Sequence, residues 1–163
     1  SACIGAKLAD PSKEVVGVVG DYSFQFLIEE LAVAAQHKVP FVMVLINNAY
    51  LGLIRQAEVA YKMDYEVQLS FNNINCPEIG DYGVDHVKAV EAMGCLATRV
   101  FDPKQMADAF RAARRLSAEK GVPVVVEVIT ERVTDISMGP EIDKITEFEE
   151  ILDRKPEKKT QAA

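Results

Sequence analysis

The sequence predicts an α/β domain: a doubly wound, mainly parallel sheet with helices on both faces. Three observations carry that expectation. Val15 to Val19 (VVGVV) and Phe41 to Ile46 (FVMVLI) are too uniformly apolar for strands with one solvent face, and such runs belong to buried parallel strands. The interval between them is short and reads almost wholly as helix, the pattern of a right-handed βαβ crossover. Farther along, Leu96 to Phe101 and Val122 to Ile129 repeat the strand pattern in alternation with helical stretches.

In chain order, Ser1 to Asp10 reads as the back end of a helix stopped by Asp10-Pro11, and its lack of a cap suggests missing upstream sequence. From about Ser23 to His37, Phe24, Leu27, Ile28, Leu31, Ala34 and Ala35 recur at helical spacing and form a core face. Ala49 to about Gln56 suits a short helix. Glu58 to Tyr82 is long and weakly patterned, as functional or mobile loops are. Asp85 to Met93 is helical and ends at Gly94. Pro103 to Lys120 carries Pro at its start and Gly121 just past its end. A domain over 1–135 is expected, followed by 136–163, with a peripheral helix at Ser137 to Leu152 and a frayed, charged end from Arg154 to Ala163.

Composition narrows the function. With 163 residues, 49% of them hydrophobic, the chain can bury a sizeable core, and no apolar run approaches the length of a membrane span. Eighteen basic against 25 acidic residues give a net charge of −7, which argues against a nucleic-acid partner. Cys3, Cys76 and Cys95 are far apart and lack CxxC spacing. They point to a reduced, cytoplasmic protein without a zinc site. His37 and His86 read as isolated residues on helix surfaces, too few for a histidine-rich metal centre.

The informative stretch runs from Gly20 to Asn48. Parallel strands would bring Asp21 and Asn48 side by side at their carboxyl ends, where open α/β sheets hold ligands. An acid and an amide beside a helix N-terminus suit a divalent cation carrying a diphosphate. Alone, Asp21 would serve equally well as a helix N-cap. No GxGxxG follows the first strand, which argues against a generic dinucleotide-binding domain.

Gly20-Asp21-Tyr22, the interval Ser23 to Ile46, and Asn47-Asn48 resemble the signature of thiamine diphosphate enzymes. With VLINNAYLGLIRQ, YGVDHVKA and VPVVVEVITERVTDISMG, the likeness points to the acetohydroxyacid synthase group, and within it to the glyoxylate carboligases (tartronate-semialdehyde synthases). Tyr22 departs from the usual Gly, a variant that the carboligases share. The resemblance implies magnesium held by Asp21, Asn48 and the Tyr50 carbonyl. It implies a cofactor site of Gly20, Asp21, Tyr22, Ser23, Asn48, Tyr50, Leu51, Gly52 and Leu53, with the Tyr22 and Ser23 N–H groups facing the diphosphate. Gly52 would admit the cofactor closely. Leu53 and Ile54 would pack near the thiazolium or substrate pocket, with ordinary core the favoured reading for Ile54.

No residue of this chain is assigned a catalytic role. The implied reaction is decarboxylation of glyoxylate, a small 2-oxo acid, and its condensation with a second glyoxylate to tartronate semialdehyde. The resemblance places FAD and the rest of the site in N-terminal and middle domains of a homo-oligomeric parent, so the isolated chain would be inactive. The alternatives are acetolactate synthase or a related decarboxylase, and a non-catalytic assembly domain of the same fold.

Overall fold

Valine-rich segments that are apolar on both faces build a four-stranded parallel sheet. Its strands are β1 (Val16–Gly20), β2 (Val42–Asn47), β3 (Leu96–Val100) and β4 (Val124–Ile129), in the order β1-β2-β4-β3. The computed structural model describes residues 1–63 and 68–132. The expected peripheral helix and charged end, and with them the segment 136–163, lie outside the described residues. Two compact units emerge: Ser1–Tyr50 with Gln68–Arg132, and Leu51–Val67 with Val133–Ala163, of which 51–63 are described.

In the first unit, successive residues of β4 feed opposite cores. Val125 joins Leu45, Phe24, Leu31, Ala34 and Val90 on one face. Val124 and Val126 join Val42, Val100 and Ala113 on the other. Both faces are therefore covered by helices, as a doubly wound sheet requires. The first face carries α1 (Ala2–Ala9), α2 (Asp21–Gln25), α3 (Glu30–Gln36) and, later in the chain, the helix His86–Ala92. The second carries the long helix Met106–Lys120, closed by Gly121 in the left-handed conformation at φ 69°. α1 sits close on the sheet because Gly17 has no side chain: a Cβ there would lie 2.7 Å from Cys3 Sγ.

The helix expected from Ser23 to His37 forms in two pieces. Between them, Leu27, Glu30, Leu31 and Ala32 donate to carbonyls three residues back, the tighter 3₁₀ pattern. The tightening rotates Leu27 out of its expected core position and leaves it 50% exposed, while Phe24, Leu31 and Ala34 stay buried.

The helix expected at Ala49 to Gln56 begins and ends later, as α4 (Gly52–Ala60), and belongs to the second unit. The helices His86–Ala92 and Met106–Lys120 are α5 and α6. Residues 68–83 of the long loop are pinned rather than loose. Tyr50 bridges Gln68, Phe71 bridges Tyr82, and Asn73 Nδ2 donates to Gly83 O at 2.8 Å. Gly83 (φ 74°) is obligatory here, since a Cβ would fall 2.1 Å from Leu69 O. No helix among the described residues is long and apolar enough to cross a membrane.

Leu45 is fully buried between β2 and the first helical layer. Leu45→Ala is expected to cost about 2–5 kcal/mol in guanidinium unfolding. Lys104→Ala, at an exposed position, should stay within about 0.5 kcal/mol of the parent.

Candidate functional site

The register pairs Gly20 with Ile46, so the residues that leave β1 and β2 emerge together at the carboxyl ends of the strands. Gly20, still extended at φ −80° and ψ 161°, is the N-cap of α2. Asp21 is thus the first helical residue and not the cap. It is 3% exposed, and its Oδ1 accepts the Tyr22 N–H at 2.8 Å. Its Oδ2 is buried without a hydrogen-bond partner. Desolvation raises the Asp21 carboxyl above its usual range, against the opposing pull of the Tyr22, Ala49 and Asn48 N–H groups and of His86. A half-satisfied buried carboxylate is costly unless something neutralises it.

The turn after β2 is held from several sides. Asn47 Oδ1 accepts the Ala49 N–H at 2.9 Å, and Asn48 Oδ1 accepts the Tyr50 N–H at 3.0 Å. These side-chain bonds hold fully buried Ala49 at φ 59°, a conformation that non-glycine residues adopt only when the surroundings impose it. Thr130 donates its N–H to Asn47 O at 2.9 Å, and Leu69 donates to Ala49 O at 2.7 Å. The Arg132 guanidinium lies 5.2 Å from the Tyr50 ring centroid and 4.4 Å from that of Tyr82, while Asp81 accepts from both of its Nη atoms.

Beneath the turn lies a buried polar network that sequence reasoning missed. His86 is 1% exposed, not on a helix surface. Its Nδ1 is 2.8 Å from Glu127 Oε1 and its Nε2 is 2.9 Å from Gln25 Nε2. Asn47 Nδ2 donates to the same Glu127 oxygen at 2.7 Å. Arg99 Nε donates to Glu127 Oε2 at 2.6 Å, and Arg99 Nη2 to Asp85 Oδ1 at 2.8 Å. Burial alone would raise the Glu127 carboxyl. His86, Asn47 and Arg99 outweigh it and hold the group below its usual range.

Two signals could have revealed this network. Glu127 and Arg99 are charges in apolar strands, which need partners when buried, and His86 shares a helix face with Val90 four residues on.

Of the expected site residues, Gly20, Asp21, Tyr22, Ser23, Asn48 and Tyr50 lie in the first unit. The Tyr22 N–H, expected to face a diphosphate, is instead taken by Asp21 Oδ1. Ser23 is within the first turn of α2, whose N–H groups have no partner inside the helix. Leu51, Gly52 and Leu53 belong to the second unit, where Gly52 opens α4. There Leu53 and Ile54 are half exposed, so Ile54 is not the core residue expected.

The donor set fits a hard cation. Asp21 offers an unpartnered anionic oxygen, and Asn48 a neutral amide oxygen with a second lone pair. Among the described residues no group of three or more His, Cys, Asp or Glu is arranged to hold a metal ion. These two oxygens suit an ion that takes few protein ligands and completes its shell from phosphate and water.

Comparison with known proteins gives the family. The family model described as "Thiamine pyrophosphate enzyme, C-terminal TPP binding domain" matches residues 1–128. The chain belongs to this family. Glyoxylate carboligase of Escherichia coli O157:H7 is 59% identical over 152 residues, which cover 93% of this chain and 26% of that protein. The acetolactate synthase large subunit of Corynebacterium glutamicum is 35% identical over 128 residues, covering 78% of this chain and 19% of its own. Among solved structures, the thiamine diphosphate-dependent 4-hydroxybenzoylformate decarboxylase of Rhodococcus jostii RHA1 superposes with a TM-score of 0.61 at 28% identity. That match covers 82% of this chain and 23% of that one. The chain spans about a quarter or less of the relatives it matches.

Within this thiamine pyrophosphate enzyme domain, Asp85 responds most clearly to acid. Burial raises its carboxyl, but Arg99, Cys76 and Lys88 override this and bring it from 3.8 down to about 2. A depressed carboxyl adds stability above its unfolded value that is lost as pH falls through the folded one. Asp85→Asn is expected to flatten the loss of stability between pH 3.8 and about 2, as read by denaturant unfolding across that range.

Proposed function

We propose that this chain is the diphosphate and magnesium anchor of a thiamine diphosphate-dependent carboligase. The parent decarboxylates glyoxylate and condenses it with a second glyoxylate to tartronate semialdehyde. The buried Asp21 oxygen without a partner, beside the Asn48 turn at the strand ends, carries the cofactor reading. The choice of glyoxylate over other 2-oxo acids rests on the 59% identity to glyoxylate carboligase. The likeness to acetolactate synthase supports pyruvate as the second reading.

Bound thiamine diphosphate supplies the electron sink for cleavage beside a carbonyl, and the protein orients it. In this reading Asp21 gives the cation its charged ligand, Asn48 its amide oxygen and Tyr50 its backbone carbonyl. Gly20 and Ser23 bring the first turn of α2 toward the diphosphate, where the helix end favours negative charge. Tyr22 takes part indirectly: its N–H orients Asp21 by occupying Oδ1, which leaves Oδ2 for the metal. Leu51, Gly52 and Leu53 continue the cofactor segment. The pyrimidine half of the cofactor, FAD and the acceptor pocket belong to other domains of a cytoplasmic homo-oligomer.

The deciding measurement is carbon dioxide release by the intact protein with magnesium and thiamine diphosphate, comparing glyoxylate with pyruvate. Release from glyoxylate with tartronate semialdehyde as product is expected. Release from pyruvate alone would move the enzyme to the acetolactate branch. Asp21→Ala is expected to weaken magnesium-dependent cofactor binding by more than the roughly 10–100-fold that loss of an outer-shell partner costs. Equilibrium dialysis of the intact protein reads it.

A further inference from the structure

One buried side chain touches both halves of the anchor. α2 carries Asp21, Tyr22 and Ser23, and its last residue, Gln25, faces His86 Nε2 at 2.9 Å. The turn that carries Asn48 begins at Asn47, whose amide shares Glu127 Oε1 with His86 Nδ1, at 2.7 Å and 2.8 Å. The partners dictate the tautomer. A carboxylate oxygen only accepts, so Nδ1 carries the hydrogen and donates to Glu127. In the neutral ring Nε2 is the acceptor, and the Gln25 amide N–H donates to it. The 3.4 Å approach of Asn47 Nδ2 to His86 Nδ1 joins two donors and is a contact, not a hydrogen bond. Asn47 has its own Oδ1 engaged by the Ala49 N–H, so its position sets the left-handed step that aims Asn48.

We propose that His86 is a positioning residue for the cofactor anchor. It fixes the turn after β2 against α2, acting through Glu127 and Asn47 on one side and through Gln25 on the other. The proposal rests on the reading of Asp21 and Asn48 as cation ligands. His86 itself touches neither cation nor cofactor. Its ring also meets Phe24 edge-on at a centroid distance of 6.0 Å. A phenylalanine at 86 would keep that packing and delete both polar links.

The experiment titrates magnesium and thiamine diphosphate calorimetrically into the intact apo protein, with thermal unfolding of each variant measured without cofactor. His86→Phe is expected to raise the dissociation constant at least about tenfold, the effect of losing an orienting partner. His86→Asn, which puts an amide N–H near the place of Nδ1, should recover binding to within about threefold of wild type. His86→Gln, whose amide reaches toward Nε2 and abandons Glu127, should bind more weakly than His86→Asn. This pair decides the matter even where His86→Phe does not fold.

Val90→Ala, in the same helix and core, should lower the unfolding temperature and leave the dissociation constant unchanged. Wild-type binding by His86→Phe would overturn the proposal. So would equal binding by the Asn and Gln variants, or a loss of affinity in Val90→Ala that tracks its lost stability. Asp21→Asn in the same titration separates the two levels. Unchanged binding there ends the metal reading and this proposal with it. Lost binding there, with His86→Phe unchanged, ends only the role of His86.

Discussion

The Glu127 carboxylate is the constraint on which the site depends. It is 1% exposed in the middle of a strand that otherwise serves the core, where an uncompensated charge would be prohibitive. Three donors from three elements answer it: Arg99 from the neighbouring strand β3, His86 from α5 and Asn47 from the end of β2. Arg99 and Glu127 are direct partners in the parallel register, so pairing the strands also pairs the charges. A slip of one residue between β3 and β4 would put the two charges on opposite faces of the sheet. The network therefore specifies register, and it holds the turn at Asn47 while doing so.

A second consequence concerns strain. Ala49 occupies a left-handed conformation in a fully buried position, and two asparagine side chains and the Leu69 N–H hold it there. Such conformations persist where neighbouring contacts over-determine them. Here the contacts descend from Glu127 through Asn47. The half-satisfied Asp21 stands on the adjacent strand end. A rigid turn opposite an under-coordinated acid is a preorganised arrangement, and the cation proposed for it would leave little to order on binding.

The corrections to the sequence reading have separate causes. The helix at Ser23 to His37 was legible from its apolar spacing, but its 3₁₀ break and the exposure of Leu27 were not, because local tightening leaves no compositional mark. The chemistry of His86 alone points to a helix surface, because it carries no mark of the helix face. The face shared with Val90 pointed inward. The hydrophobicity of Ile54 points to core, and its helix leaves it half exposed.

By itself the sequence determined the parallel α/β class, the four strands, the Gly121 end of α6 and the pairing of Asp21 with Asn48 at neighbouring strand ends; the Pro103 start expected for that helix is a 3₁₀ turn, Pro103–Gln105, ahead of it. Each follows from local chemistry: periodicity, apolar runs, the asymmetry of proline and glycine, and motif spacing. Only the tertiary structure decided which polar residues meet. Gln25, Asn47, Asp85, His86, Arg99 and Glu127 come from distant parts of the chain and are joined by register and helix packing. Their geometry is a property of the assembled layers. No stretch of residues encodes it alone, because a buried charge finds its partners only once burial has made them necessary.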